Sequence, residues 1–130
     1  MFNNVNWNKI INNVLLYIKK DWKYLIIKVS ISQTTYTAKF YYSTKNDEFI
    51  DLYKIINDEK RSTINDITMS ELEIIPKNFN DQKEKMLITI KVENKGNVKV
   101  IYRDIKDGDK LPFDEEHEYI KLNEKDKIIK

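Results

Sequence analysis

The side chains best suited to chemistry lie in one acidic stretch, residues 104–118. An acid–histidine cluster can hold a metal or act as a general base, and the chain's single histidine, His117, lies in this stretch. However, neighbouring residues of a helix point in different directions, and the chain has no second histidine to act as a ligand. We therefore predict that His117 is neither ligand nor catalyst. The carboxylates of the stretch are Asp104, Asp107, Asp109, Asp114, Glu115, Glu116 and Glu118.

The sequence lacks the common catalytic and nucleotide-binding motifs. Its two glycines, Gly96 and Gly108, are isolated, so no glycine-rich phosphate loop exists, and no G-x-S-x-G motif occurs. Asp107-Gly108-Asp109 lacks the ligand spacing of a twelve-residue calcium loop. We therefore expect no enzyme activity, no cofactor and no metal.

A second chemical possibility is an aromatic surface in the basic N-terminal third. Residues 1–45 contain seven lysines and one acidic residue, whereas residues 46–130 contain 16 basic and 20 acidic residues. Aromatic rings near lysines can stack the bases of a single-stranded nucleic acid, but adjacent aromatics in a strand also commonly divide between core and surface. The charge asymmetry can steer a charged partner, and two solvated faces explain it equally well. The residues concerned are Tyr36, Lys39, Phe40, Tyr41, Tyr42 and Lys45.

The clearest structural signal is a β-hairpin. Residues 86–92 and 98–104 both alternate between apolar and polar positions, and a short loop with Gly96 joins them. Upstream, alternation predicts strands over 24–32, 35–43 and 48–56. All of these strands are expected to pair antiparallel.

Helices are predicted at the start, middle and end of the chain. Residues 4–20 carry an apolar stripe at helical spacing, with Asn3 or Asn4 as the cap, and Ile11 and Val14 are expected to pack on the sheet. Residues 57–61 are predicted as a loop, Ser70 and Glu73 as a capping box, and a helix is expected to end near Pro76. A last helix over about 115–128 follows Asp114. The stripe consists of Trp7, Ile10, Ile11, Val14, Leu15 and Ile18.

These elements predict a single α+β domain over residues 1–130, with an antiparallel sheet of about four to five strands, an N-terminal helix, a middle helical segment and a C-terminal helix. No secretion signal and no apolar run of transmembrane length is visible, and cysteine is absent. We therefore expect a cytoplasmic protein that makes no membrane contact.

Five short motifs follow the N-terminal amphipathic helix, and the arm Val98–Tyr102 comes directly after the third of them. The motifs are Asp21-Trp22-Lys23, Phe40-Tyr41-Tyr42, Asn94-Lys95-Gly96, Leu111-Pro112 and Glu118-Tyr119. Their order resembles the YezG-like antitoxin family of bacterial immunity proteins. The family usually carries a long, acidic, aromatic-rich helix between two hairpins, where this chain has Pro76 and a weaker pattern.

The resemblance implies an immunity protein that binds a nuclease toxin and blocks its active site. Such toxins are delivered by contact-dependent inhibition or specialised secretion systems. The seven carboxylates named above are the expected toxin-binding surface, because a nuclease presents basic groups to phosphates. In this hypothesis the chain contacts no nucleic acid itself. The alternative is a small nucleic-acid-binding protein that uses its lysine-rich, aromatic N-terminal third.

Overall fold

An antiparallel sheet of six strands forms the centre of the fold. The computed structural model describes residues 5–45, 48–75, 77, 79, 85–105 and 127–129. The strand order is β3-β2-β1-β4-β5-β6, and every neighbouring pair is antiparallel. The strands are β1 (Tyr24–Ser32), β2 (Tyr36–Lys45), β3 (Glu48–Asp51), β4 (Lys85–Glu93), β5 (Val98–Ile105) and β6 (Lys127–Ile129). The helices are α1 (Trp7–Leu15) and α2 (Asp58–Leu72). The predicted α+β class with an antiparallel sheet is confirmed, although the sheet has six strands and not the four to five predicted, because the short β6 adds to its edge.

The predicted β4–β5 hairpin is also confirmed. Met86 lies opposite Asp104 and Val92 lies opposite Val98, as the alternation of the two arms requires. Gly96 in the connecting turn has a φ of 105°, a conformation that costs glycine little because it has no Cβ. A long-range pairing between β1 and β4 joins this hairpin to the β1–β2 hairpin at the centre of the sheet.

Helix α1 is shorter than the sequence predicts. Its cap is Asn6, whose Oδ1 accepts a hydrogen bond from the Lys9 amide at 3.1 Å, whereas Asn3 and Asn4 lie outside the described residues. The helix ends at Leu15, followed by an i→i+3 bond from the Leu16 amide to Asn13. Ile10, Ile11 and Val14 are buried, so the predicted packing of Ile11 and Val14 is confirmed.

Helix α2 corrects two predictions about residues 57–73. Asn57 caps it, because its Oδ1 accepts from the Lys60 amide at 2.9 Å, and Asp58 and Glu59 in the first turn favour the positive end of the helix dipole. The predicted loop at 57–61 is therefore wrong. The predicted capping box at Ser70 is also wrong, because Ser70 lies within the last turn. The helix ends at Leu72, before Pro76, as expected.

The ends of two other predicted elements also differ. The predicted strand 48–56 stops at Asp51, whose Oδ1 accepts a hydrogen bond from the Tyr53 amide at 3.0 Å and starts a 3₁₀ turn over Leu52–Lys54. At the C-terminus, residues 127–129 pair with β5, so a helix cannot continue to 128. Residues 115–126 of that predicted helix lie outside the described residues.

Both helices pack on one side of the sheet, here called the helix face. On β1 it carries Leu25, Ile27, Val29 and Ile31, which form one buried cluster with residues of α1, α2 and the other strands. Full burial of each such aliphatic side chain is worth about 1.5–3 kcal/mol. Within the described ranges, no helix combines the length and the apolar character that a bilayer crossing needs.

Candidate binding pocket and lysine face

The structure leaves the predicted toxin-binding surface mostly outside the part of the chain that it describes. Asp104 lies on β5, opposite Met86 in the register. The six other carboxylates, from Asp107 to Glu118, and His117 belong to residues 106–126, which are not described. Their assignment as a toxin-binding surface therefore stays a prediction.

The predicted aromatic platform is wrong as a single surface, because its rings divide between the two faces of the sheet. Phe40 and Tyr42 are buried on the helix face. The Tyr36 hydroxyl donates to the Ile75 carbonyl at 2.6 Å, on the same side. Tyr41 pairs with Ile26 on the opposite face and is only 5% exposed. These rings belong mainly to the core.

Burial also sets the ionisation of the rings on the helix face. Desolvation, followed by the nearby Glu73 carboxylate, raises the pKa of Tyr36 above its usual value of 10.0. Desolvation, followed by Asp21, likewise raises the pKa of Tyr42. Both phenols therefore stay neutral at physiological pH. Tyr42 packs in the core, and Tyr36 also donates its hydrogen bond to Ile75.

A pocket of about 310 Å³ lies where β1 begins and β4 ends. Its volume is at the lower end of the ~300–1,000 Å³ typical of small-molecule sites. Two of the short motifs quoted above supply most of its lining, although they are far apart in the sequence. The lining residues are Trp22, Lys23, Tyr24, Glu93, Asn94 and Lys95.

Hydrogen bonds fix the frame of this pocket. The Asn94 side chain donates from Nδ2 to the Trp22 carbonyl at 2.7 Å, and the Asn94 amide donates to the Lys23 carbonyl at 3.0 Å. The Lys23 amide in turn donates to the Ser43 carbonyl of β2 at 2.6 Å. The pocket is therefore built on main-chain groups of both hairpins.

The pocket combines aromatic walls with an excess of positive charge. Lys23 and Lys95 line it beside Trp22 and Tyr24, and Glu93 is its acidic member. Lys91 lies just outside, with its Nζ 4.8 Å from the centre of the Tyr24 ring. Glu93 Oε2 accepts a hydrogen bond from Asn97 Nδ2 at 3.1 Å, which occupies part of its accepting capacity. Such a lining suits a planar group that carries negative charge.

Two residues that line the pocket, Tyr24 and Glu93, lie on the second face of the sheet, here called the lysine face, whereas Trp22 also packs against the helix-face core. The β register places four lysines of neighbouring strands on the lysine face: Lys39, Lys28, Lys91 and Lys99. Lys39 is directly opposite Lys28, and Lys91 is directly opposite Lys99. Lys91 also lies opposite Ile26, two residues from Lys28, so the four form one diagonal band across β2, β1, β4 and β5.

The lysine band is accessible although apolar side chains lie between its members. Lys39 and Lys99 are exposed, whereas Lys28 and Lys91 are half-buried. Ile26, Tyr41, Leu87 and Ile101 are buried on this same face. Lysine stems cover apolar neighbours while the ammonium groups stay in water, so this pattern is compatible with a hydrated surface.

The described residues contain no group of three or more acidic or histidine side chains arranged to hold a metal ion.

No protein-family model, curated protein or solved structure matches the chain.

Sequence reasoning did not identify the pocket or the lysine band. Asp21-Trp22-Lys23 and Asn94-Lys95-Gly96 were visible as motifs, but nothing in the sequence says that they meet. The band is not visible in the charge of successive segments of the sequence. Lys91 and Lys99 join Lys28 and Lys39 only through the β1–β4 pairing. The signal that could have found it is the matching position of lysines in four alternating strands.

Proposed function

We propose that the chain is an immunity protein, which binds a cognate bacterial nuclease toxin and blocks it. The toxin is one delivered by contact-dependent inhibition or a specialised secretion system. The immunity protein acts in the cytoplasm by stoichiometric occlusion, without catalysis and without a cofactor. Its partner is the toxin's basic nuclease domain.

The observation that carries this proposal is the contact between two motifs of the family resemblance. The Trp22 and Lys23 carbonyls both accept hydrogen bonds from Asn94. The β1–β4 register, with Tyr24 opposite Glu93, brings the two motifs together. Their contact at one corner of the sheet supports reading them as parts of one framework, and it therefore supports the function that the resemblance implies.

Helix α2 adds support in the middle segment, where the sequence pattern is weaker than the family's. The resemblance implies a long acidic helix between the two hairpins, and α2 occupies that place with 15 residues. Its Asp58, Glu59 and Asp66 are exposed. The helix lacks the aromatic residues that the family usually carries there, so α2 is a weaker candidate for the toxin contact than the acidic stretch 104–118.

Charge complementarity is the physical basis of the proposed inhibition. A nuclease must present basic groups to phosphates, and an acidic inhibitor competes for those groups. Opposite charge also accelerates association, which matters when a toxin has just entered the cell. The proposed surface is the seven-carboxylate set between Asp104 and Glu118.

The immunity function predicts a toxin gene beside this one, and the test is co-expression with that toxin. The triple variant Asp107→Lys, Asp109→Lys, Glu115→Lys should lose protection and slow association, while its circular dichroism stays that of the wild type. The matched control is Asp58→Lys, Glu59→Lys, Asp66→Lys on α2, with the same change in net charge. This control should still protect the cell.

Two results would contradict the proposal at different levels. Full protection by the first triple variant together with loss by the α2 variant would move the contact to α2. No complex between the wild-type chain and the neighbouring toxin, and no protection of the cell, would reject the immunity function itself.

A further inference from the structure

We propose that the lysine face and the pocket at its edge together form a binding site for single-stranded nucleic acid. The phosphates contact Lys39, Lys91 and Lys99, and one base enters the pocket near Trp22 and Tyr24. This site goes beyond toxin inhibition, does not depend on it, and departs from the expectation that the chain contacts no nucleic acid. It also differs from the aromatic platform expected from the sequence, because its lysines come from both halves of the chain.

The lysine band forms a continuous row of positive groups across four strands. Directly opposite residues of neighbouring strands lie about 4.5–5.5 Å apart, and diagonal neighbours about 7–8 Å apart. The order Lys39, Lys28, Lys91, Lys99 therefore gives one positive group per strand along a continuous line. A flexible single strand can follow such a line, because its backbone is not held in a duplex.

The band also carries an electrostatic cost that its own fold does not require. Like charges directly opposite each other in a sheet are destabilising, and Lys91 and Lys99 of the band form such a pair. Among the described side chains of this face, only Asp51 and Glu93 are acidic. Both accept local hydrogen bonds, from the Tyr53 amide and from Asn97. An anionic ligand would relieve the repulsion.

The pocket adds aromatic side chains, on which a base can stack, to the row of lysines. Aromatic side chains stack bases with little regard to sequence, and Trp22 and Tyr24 both line the pocket. Lys91 connects the two parts, because it belongs to the band and its Nζ lies over the Tyr24 ring. A base in the pocket would therefore place its phosphate beside the band.

The composition of the surface favours a nucleic acid over a lipid membrane. Peripheral membrane surfaces insert exposed apolar side chains beside their basic residues. Leu16, Ile55, Ile74 and Val98 are the exposed large apolar residues in the described ranges. None of them lies on the lysine face, since Val98 pairs with Val92 on the helix face and the other three lie outside the sheet.

The experiment measures binding of the full chain to fluorescein-labelled oligothymidylate and oligouridylate of about twelve nucleotides, within the site sizes typical of single-strand-binding domains. We expect salt-sensitive binding in fluorescence anisotropy. Lys39→Glu/Lys99→Glu should weaken it about tenfold or more, and reduce the slope of log affinity against log salt by about 1.4. The matched control is Lys54→Glu/Lys60→Glu, which makes the same charge change at exposed positions off the sheet, and it should change affinity less than about twofold.

Other outcomes would overturn the inference. Equal losses in the two double variants would show a non-specific charge effect. Binding to phosphatidylserine vesicles but not to the oligonucleotides would assign the face to a membrane. A third outcome is that the full chain binds neither ligand. If Asp107→Asn/Asp109→Asn/Glu115→Gln then restores oligonucleotide binding, the acidic segment of the chain itself occupies the lysine face. Toxin protection by Lys39→Glu/Lys99→Glu should stay intact, so failure here is separable from failure of the proposed immunity function.

Discussion

The side chain of Asn94 donates a hydrogen bond to the main-chain carbonyl of Trp22 at 2.7 Å, across 72 residues of sequence. The turn of the β4–β5 hairpin is thereby attached to the segment that enters β1. The main-chain N–H of Asn94 donates to the Lys23 carbonyl, so this one asparagine holds two consecutive residues of the pocket lining.

Replacing Asn94 by alanine should lower the free energy of unfolding by about 0.5–1.5 kcal/mol. The reason is the loss of one hydrogen bond at a partly hydrated site. Asn97→Ala is the matched control, because its side chain bonds only to Glu93 in the same turn. Urea denaturation followed by tryptophan fluorescence measures both variants. Equal losses would show that the long-range bond has no special weight.

Replacing Ile10 by alanine should lower the free energy of unfolding by about 2–5 kcal/mol. Ile10 is buried between α1 and the sheet, and its removal leaves a cavity. Leu16→Ala is the control, because Leu16 is 75% exposed and should cost less than about 0.5 kcal/mol. Chemical denaturation monitored by circular dichroism gives both values. A small loss for Ile10→Ala would mean that α1 is not an integral part of the core.

Replacing Lys99 by glutamate should raise the free energy of unfolding by about 0.2–1 kcal/mol. Lys99 lies directly opposite Lys91, so the change converts a repulsive pair into an attractive one. The gain should shrink at high salt because added ions screen exposed charges. Lys54→Glu lacks a cross-strand lysine and serves as the control in the same thermal or urea unfolding series. Destabilisation by Lys99→Glu would show that this lysine already has a stabilising anionic neighbour.

Replacing Tyr53 by phenylalanine should reduce the loss of stability at alkaline pH. Burial, followed by the Asp51 carboxylate, raises the pKa of Tyr53 to about 12 from its usual 10.0. Below pH 10 both the folded and the unfolded protein keep this phenol neutral, and its full contribution to stability is present. As pH rises from 10 towards 12, the unfolded chain ionises first, so the folded state loses stability.

Urea midpoints measured from pH 9 to pH 12 test this prediction about Tyr53. The wild-type midpoint should fall more steeply than that of Tyr53→Phe over the interval between the two pKa values. At neutral pH the variant should be at least as stable, because the Tyr53 hydroxyl is buried without a hydrogen-bond partner among the described residues. Parallel midpoints for the two proteins would contradict the assigned cause.

Sequence reasoning located most strands because alternation is a local signal. Tyr24–Ser32 and the β4–β5 hairpin match their predicted positions closely, since the apolar residues of the helix face recur at every second position of each strand. The predictions were wrong where the hydrogen bond of a single side chain sets the start or the end of an element. Asn57 starts α2 and Asp51 ends β3, each through a single hydrogen bond that competes with the apolar pattern around it.

The candidate site was harder to predict than the fold because it depends on which strands pair. The Trp22–Asn94 corner and the Lys28–Lys91 diagonal both arise from the β1–β4 pairing. No local pattern specifies a pairing between strands that are so far apart in the chain. The buried set of α2 was obscured for a different reason: a threonine, Thr68, occupies a core position between Ile64 and Leu72.

The central place of β1 has a consequence for how the protein is made. Its apolar run from Leu25 to Ile31 emerges from the ribosome early, but its partner β4 is synthesised only after β2, β3 and α2. At roughly 5–20 residues per second, one edge of β1 waits several seconds for that partner. An unpaired apolar strand edge is a template for aggregation, and Lys28, in the middle of the run, is a charge of the kind that interrupts it. Lys28, which belongs to the lysine band of the folded sheet, therefore also opposes aggregation of the nascent chain.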